Sequence, residues 1–103
     1  MTDVSADELE QKLREEDRLL LVDFWHPSCE PCRELRRQLE SLENEACVLL
    51  AMDASRHPLA AARHRVSDFP TVVFFKRGVE LHRFKGGALP PSTLALLGSQ
   101  SAS

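Results

Sequence analysis

The chain has 103 residues, 43% of them hydrophobic and 28% charged, which fits one compact domain over 1–103 with a small but real core. Lys and Arg number 13 against 16 Asp and Glu, and the formal net charge of −3 with scattered arginines excludes the usual signature of a nucleic-acid or membrane-surface partner. The longest apolar runs, such as Cys47 to Met52, are too short to cross a bilayer, and the acidic start is no signal peptide, so a monomer in the cytoplasm is expected. Three cysteines do not make a disulfide-stapled secreted scaffold, yet two of them, Cys29 and Cys32, stand as a CxxC pair that needs a chemical explanation.

The first predicted element is a helix over Asp7 to Asp17, with Ser5 as N-cap, Glu8 completing a capping box, and Leu9 and Leu13 on one face. Leu19 to Trp25 is an apolar run of strand length without alternation, the pattern of a central strand buried on both faces, interrupted only by Asp23. After the turn His26 to Cys32, the spacing of Leu35, Leu39 and Leu42 predicts a helix from Arg33 to Glu45. Cys47 to Met52 is a second buried strand, and Ser55 with Pro58 opens a short Ala-rich helix reaching about Arg63. Thr71 to Lys76 and Val79 to Phe84 flank Arg77-Gly78 as a hairpin, with Glu80, His82 and Lys85 facing outward on an edge strand. Gly86-Gly87 ends that strand, Pro90-Pro91-Ser92 introduces a closing helix over Thr93 to Leu97, and 98–103 is a frayed tail. A parallel βαβ unit followed by an antiparallel hairpin and a helix makes an α/β layered sandwich.

The CxxC pair carries the chemistry. A thiolate at a helix N-terminus is stabilised by unpaired N–H groups and the positive end of the helix dipole, which is where Cys29 stands. Cys32, one turn on, is placed to attack a mixed disulfide formed at Cys29, so the spacing provides a nucleophile and a resolving thiol. Pro31 between them needs no N–H partner in a first turn and limits its freedom. A structural zinc site wants four ligands, and this chain has no second CxxC and no HxxxH, so no metal is expected. Asp23, within an apolar strand, is expected to be desolvated with a raised pKa, fit for proton transfer.

Five segments together resemble the thioredoxin family over nearly the whole chain: Val22-Asp23-Phe24-Trp25, the CxxC with Pro31, Phe69-Pro70-Thr71, Phe75-Lys76-Arg77-Gly78 and Gly87-Ala88-Leu89. The resemblance implies the thioredoxin fold, a three-layer sandwich around a mixed sheet, and a thiol-disulfide oxidoreductase that reduces protein disulfides without a bound cofactor. It implies disulfide-containing protein substrates and an electron donor of the thioredoxin-reductase type. By position, Cys29 looks like the attacking thiolate, Cys32 like the resolving thiol and Asp23 like the group that takes the proton from Cys32. Pro70 corresponds to a cis-proline shaping the substrate groove. Phe69 corresponds to the residue that offers backbone hydrogen bonds, and Trp25 with Gly86, Gly87 and Ala88 corresponds to the groove's rim, beside Glu30 and Pro31.

The chain departs from the family pattern in several places. Glu30 stands where Gly is common, and its charge is expected to make the couple slightly more reducing, partly offset by Arg33. Ser28 replaces a second Trp, removing apolar docking area and favouring a narrower set of partners, with a dedicated single-partner reductase or a non-catalytic binding module as the alternatives. The strand Cys47 to Met52 lacks the charge some relatives place near the buried Asp, so Asp23 is expected to ionise with more difficulty. Met1 to Val4 can pair only briefly as a first strand. Cys47 reads as a buried hydrophobe, His26 as a turn residue able to tune Cys29, His57, His64 and His82 as surface residues, and Arg36-Arg37 as a solvent-facing helix surface.

Overall fold

The computed structural model describes residues 1–45 and 47–93. Its elements are β1 (Thr2–Asp3), α1 (Ala6–Glu15), β2 (Leu19–Trp25), α2 (Glu30–Glu40), β3 (Cys47–Asp53), α3 (Pro58–Arg63), β4 (Thr71–Lys76) and β5 (Val79–Lys85). They build a five-stranded mixed sheet in the order β1-β3-β2-β4-β5. β1 and β2 run parallel to β3, while β4 is antiparallel to both β2 and β5. This is the expected α/β sandwich, with β2 at its centre. The expected closing helix over Thr93 to Leu97 and the tail 98–103 lie, apart from Thr93, outside the described residues.

Side chains of a strand alternate between faces, and β2 divides its residues accordingly. Leu20, Val22 and Phe24 join Leu9 and Leu13 of α1 and Ala60 and Ala61 of α3 in one core. Leu19 and Leu21 join Leu35 and Leu39 of α2 in the other. The continuous apolar run is therefore two interleaved stripes, each meeting its own helix layer. By the same parity Asp23 and Trp25 follow Leu19 and Leu21 to the α2 face, which decides the chemistry they can join.

Local signals account for most boundaries. Ser5 Oγ accepts the Glu8 N–H at 3.1 Å and Glu8 Oε1 accepts the Ser5 N–H at 2.8 Å, closing the capping box of α1. Arg77 and Gly78, with φ of 51° and 80°, form the two-residue hairpin turn in which both central residues are left-handed. The helix expected over Arg33 to Glu45 instead spans Glu30–Glu40. It begins earlier because Cys29 caps it and Pro31 is tolerated in its first turn. It ends earlier because Ser41 Oγ turns back onto the Gln38 carbonyl at 2.7 Å, and Leu42 packs on the core from beyond the helix. Ser55 does not cap α3; its N–H and hydroxyl both bond Asp53 Oδ1, and His57 takes the cap position. The outward alternation expected on β5 is broken by an irregularity opposite Phe74 and Phe75, which leaves Val79 and Leu81 exposed and His82 against Phe74.

Candidate active site

Cys29 and Cys32 are joined as a disulfide at the N-terminus of α2, with Cα atoms 5.3 Å apart. Cys29 is the N-cap: its Sγ accepts the Cys32 N–H at 3.2 Å, and its own N–H is held by the His26 carbonyl at 3.1 Å. In the reduced state the same N–H and the helix dipole favour negative charge on this sulfur. The arrangement thus supports a thiolate at Cys29 and a second sulfur within bonding reach. Glu30 points into solvent with 84% of its side chain exposed and pairs with Arg33 at 3.4 Å, so its charge is well screened.

Behind the disulfide, Asp23 is 1% exposed. Neither carboxylate oxygen has a hydrogen-bond partner in the protein. Burial pushes its pKa from an ordinary 3.8 up to about 7, with Arg36 pulling it back and the Asp3 charge adding to the rise. A cavity of about 60 Å³ links this carboxyl to the sulfurs, lined by Asp23, Trp25, Cys29, Cys32 and Arg36 among others. Trp25 lines it with its indole N–H buried and unpartnered. The space is large enough for water, and both Asp23 and Cys32 border it.

On the other flank the Phe69–Pro70 peptide is cis. The Pro70 carbonyl accepts the Gly86 N–H at 3.1 Å, and Gly86 has φ +112°, a conformation that disfavours any other residue. Gly87 lies against Pro31 so closely that a Cβ there would stand 3.0 Å from the Pro31 Cβ. The loop Gly86-Gly87-Ala88 thereby joins the two prolines, with Ala88 exposed beside them. His26 Nδ1 accepts the Ser28 N–H at 3.2 Å, its ring meets the Phe69 ring edge-on at 5.1 Å, and it borders the cavity that Cys29 and Cys32 also line. An apolar groove of about 360 Å³ continues from His26 and Phe69 past Pro58, Ala61 and Val66.

Three residues escaped the sequence reading. Arg36, expected to face solvent with Arg37, is half-buried beside Asp23, because four residues after Cys32 a helix presents the same face again. Gln38 clamps the glycine loop, its Nε2 donating to the Gly87 carbonyl at 3.5 Å and its Oε1 accepting the Leu89 N–H at 3.0 Å. His64, expected at the surface, is largely buried: its Nε2 lies 2.8 Å from Glu10 and its ring packs on Phe24 and Phe75. The (i, i+4) spacing from Cys32 was a usable signal for Arg36. None existed for the other two, whose partners are distant in sequence.

Cys47 is buried, and burial pushes its thiol up to about 11, so it stays unreactive. Among the described residues no group of three or more His, Cys, Asp or Glu is placed to hold a metal ion, and no helix is long and apolar enough to cross a membrane.

Comparison with known proteins agrees with this geometry. The sequence model of the thioredoxin family matches residues 1–96. Thioredoxin from Chlamydia caviae is 36% identical over 85 residues, covering 81% of this chain and 83% of that protein. Thioredoxin from Echinococcus granulosus is 33% identical over 85 residues, covering 81% and 78%. Among solved structures, Fasciola hepatica thioredoxin superposes with a TM-score of 0.82 at 31% identity, over 99% of this chain and 98% of that one. Chloroplastic thioredoxin z superposes with a TM-score of 0.86 at 25% identity, over 100% and 96%. With the fold, the helix-capping cysteine pair and these relatives in agreement, the chain belongs to the thioredoxin family and is a thiol-disulfide oxidoreductase.

Proposed function

We propose that the protein works in the reducing direction, as a monomer in the cytoplasm, passing two electrons from a thioredoxin-reductase-type donor to disulfides of protein substrates. The observation that carries this reading is the pairing of a helix-capping Cys29 with a buried, unpartnered Asp23 behind Cys32. The Cys29 thiolate attacks one sulfur of the substrate disulfide, and the other substrate sulfur leaves as a thiolate that takes a proton from solvent. Cys32 gives its proton to Asp23 through the cavity and attacks the Cys29 sulfur. The second substrate sulfur leaves, and the Cys29–Cys32 disulfide forms. The substrate gains two electrons, the cysteine pair loses two, and the donor restores the dithiol. The groove bounded by Pro31, Pro70, Gly86, Gly87 and Ala88 is the place for an extended substrate strand, with Phe69 offering its backbone and Trp25 and Glu30 on the margin.

Ser28 and the open apolar groove beside His26 and Phe69 favour a restricted set of substrates. The test is the Cys29–Cys32 reduction potential, together with reduction of a disulfide-containing protein by wild type, Cys29→Ser and Cys32→Ser. The expected potential lies near or below about −270 mV, whereas one between about −180 and −120 mV would assign oxidation or isomerisation instead. Cys32→Ser should accumulate a mixed disulfide with the substrate. Its absence, with Cys29→Ser still active, would overturn the assigned roles.

A further inference from the structure

The two adjacent arginines of α2 differ in surroundings. Arg37 is 77% exposed and pairs with Glu34 on its own helix. Arg36 is 29% exposed. Its guanidinium lies 5.5 Å over the Trp25 ring, 3.4 Å from Asp3 Oδ1 and 3.5 Å from Glu40 one turn on. It also lines the cavity that holds Asp23 and both sulfurs.

Strand register explains why Arg36 is drawn there. Asp3 pairs with Ala51 in β1–β3, and Ala51 pairs with Asp23 in β3–β2. All three strands are parallel, so Asp3, Ala51 and Asp23 form one row on one face, with the backbones of the two acidic residues about 10 Å apart by strand spacing. Between them stands only an alanine. α2 packs over that face and brings the Arg36 guanidinium down onto Trp25, two residues from Asp23. The other groups facing Asp23 are accounted for. Val72 pairs opposite it on β4, and His26, Arg33, Cys29 and Cys32 border the cavity. The cation that β3 does not supply comes from the helix.

We propose that Arg36 is the counter-ion that sets the protonation of Asp23, held at its post by the face of Trp25. The inference deepens the reading of Asp23 as the base for Cys32, and it makes Arg36 a positioning residue that touches no substrate. The Asp3 charge acts in two ways: it repels an Asp23 carboxylate across the row and draws part of the Arg36 charge to itself.

The experiment follows the Asp23 side-chain carboxyl carbon by NMR against pH in the oxidised protein, in wild type, Arg36→Gln, Arg36→Lys and Asp3→Asn. Arg36→Gln should raise the Asp23 midpoint by about half a pH unit or more, roughly threefold in the ratio of charged to neutral form. Arg36→Lys should stay near wild type. Asp3→Asn should lower the midpoint, a sign opposite to that of Arg36→Gln, which loosened packing at either position does not produce. Coincident titrations of wild type and Arg36→Gln, or a fall in the latter, would overturn the proposal, as would a raised midpoint in Asp3→Asn. Failure of the Cys32 reading shows separately, as an Asp23→Asn variant that releases a mixed disulfide with the wild-type rate and pH profile.

Discussion

Asp23→Asn removes a charge that the centre of the sheet has to bury, and its effect on stability follows from the position of that group. In the folded protein Asp23 is 1% exposed, its oxygens find no donor, and its pKa stands at about 7 against 3.8 for an ordinary aspartate. Below about pH 3.8 the group is neutral in both states and burial costs little. Between 3.8 and 7 the unfolded chain releases the proton while the folded chain keeps it, so stability falls as pH rises, and the loss levels off above 7. An interval of about three pH units, at about 1.4 kcal/mol each, amounts to about 4 kcal/mol. Denaturant unfolding of the oxidised wild type and Asp23→Asn across pH 4 to 9 measures it. The variant should match wild type apart from a constant offset near pH 4 and exceed it by a further ~4 kcal/mol above pH 8. A difference independent of pH, or one that shrinks as pH rises, would refute the reasoning. The same variant should resolve mixed disulfides slowly at neutral pH, so the site trades stability for chemistry.

Glu30→Gly should make the couple less reducing by under about 20 mV, because a screened, exposed charge acts weakly on Cys29; a wild-type potential equal to or less negative than the variant's contradicts this. Gln38→Leu releases the clamp on Gly87 and Leu89. It should raise KM for a protein disulfide roughly fivefold, the scale of one lost hydrogen bond, with kcat nearly unchanged. A fall confined to kcat would place Gln38 in the chemistry instead. Ser5→Ala opens the capping box of α1 and should cost about 1 kcal/mol in chemical denaturation at constant activity. An unchanged midpoint would mean that tertiary packing alone holds that helix end.

Much of this protein could be read from local pattern. The run Leu19 to Trp25 is β2 to the residue, because burial on both faces keeps it apolar at every position but Asp23. Ser5 and Glu8 mark α1 through bonds made within four residues, and Arg77-Gly78 marks the hairpin. The cysteine pair follows from spacing at a helix start, and Asp23 from being polar where everything else is apolar. These signals are local: the physics that fixes each feature acts between residues a few positions apart, and so it is written in their order.

What the order of residues did not contain is which element meets which across the sheet. The helix after the cysteines stops at Glu40 because Ser41 bonds back on it, while Leu42 continues the apolar stripe outside any helix. Gln38 meets Leu89, and His64 meets Glu10, across 51 and 54 positions. Arg36 looks like its neighbour Arg37 until α2 is laid on the row Asp3–Ala51–Asp23, and only the parallel register of three strands puts two carboxylates on that row. Periodicity tells a residue which face of its own element it occupies. The partner on that face is set by packing and register between distant segments, and at the centre of this site that packing supplies Asp23 with Arg36, a cation its neighbouring strand does not carry.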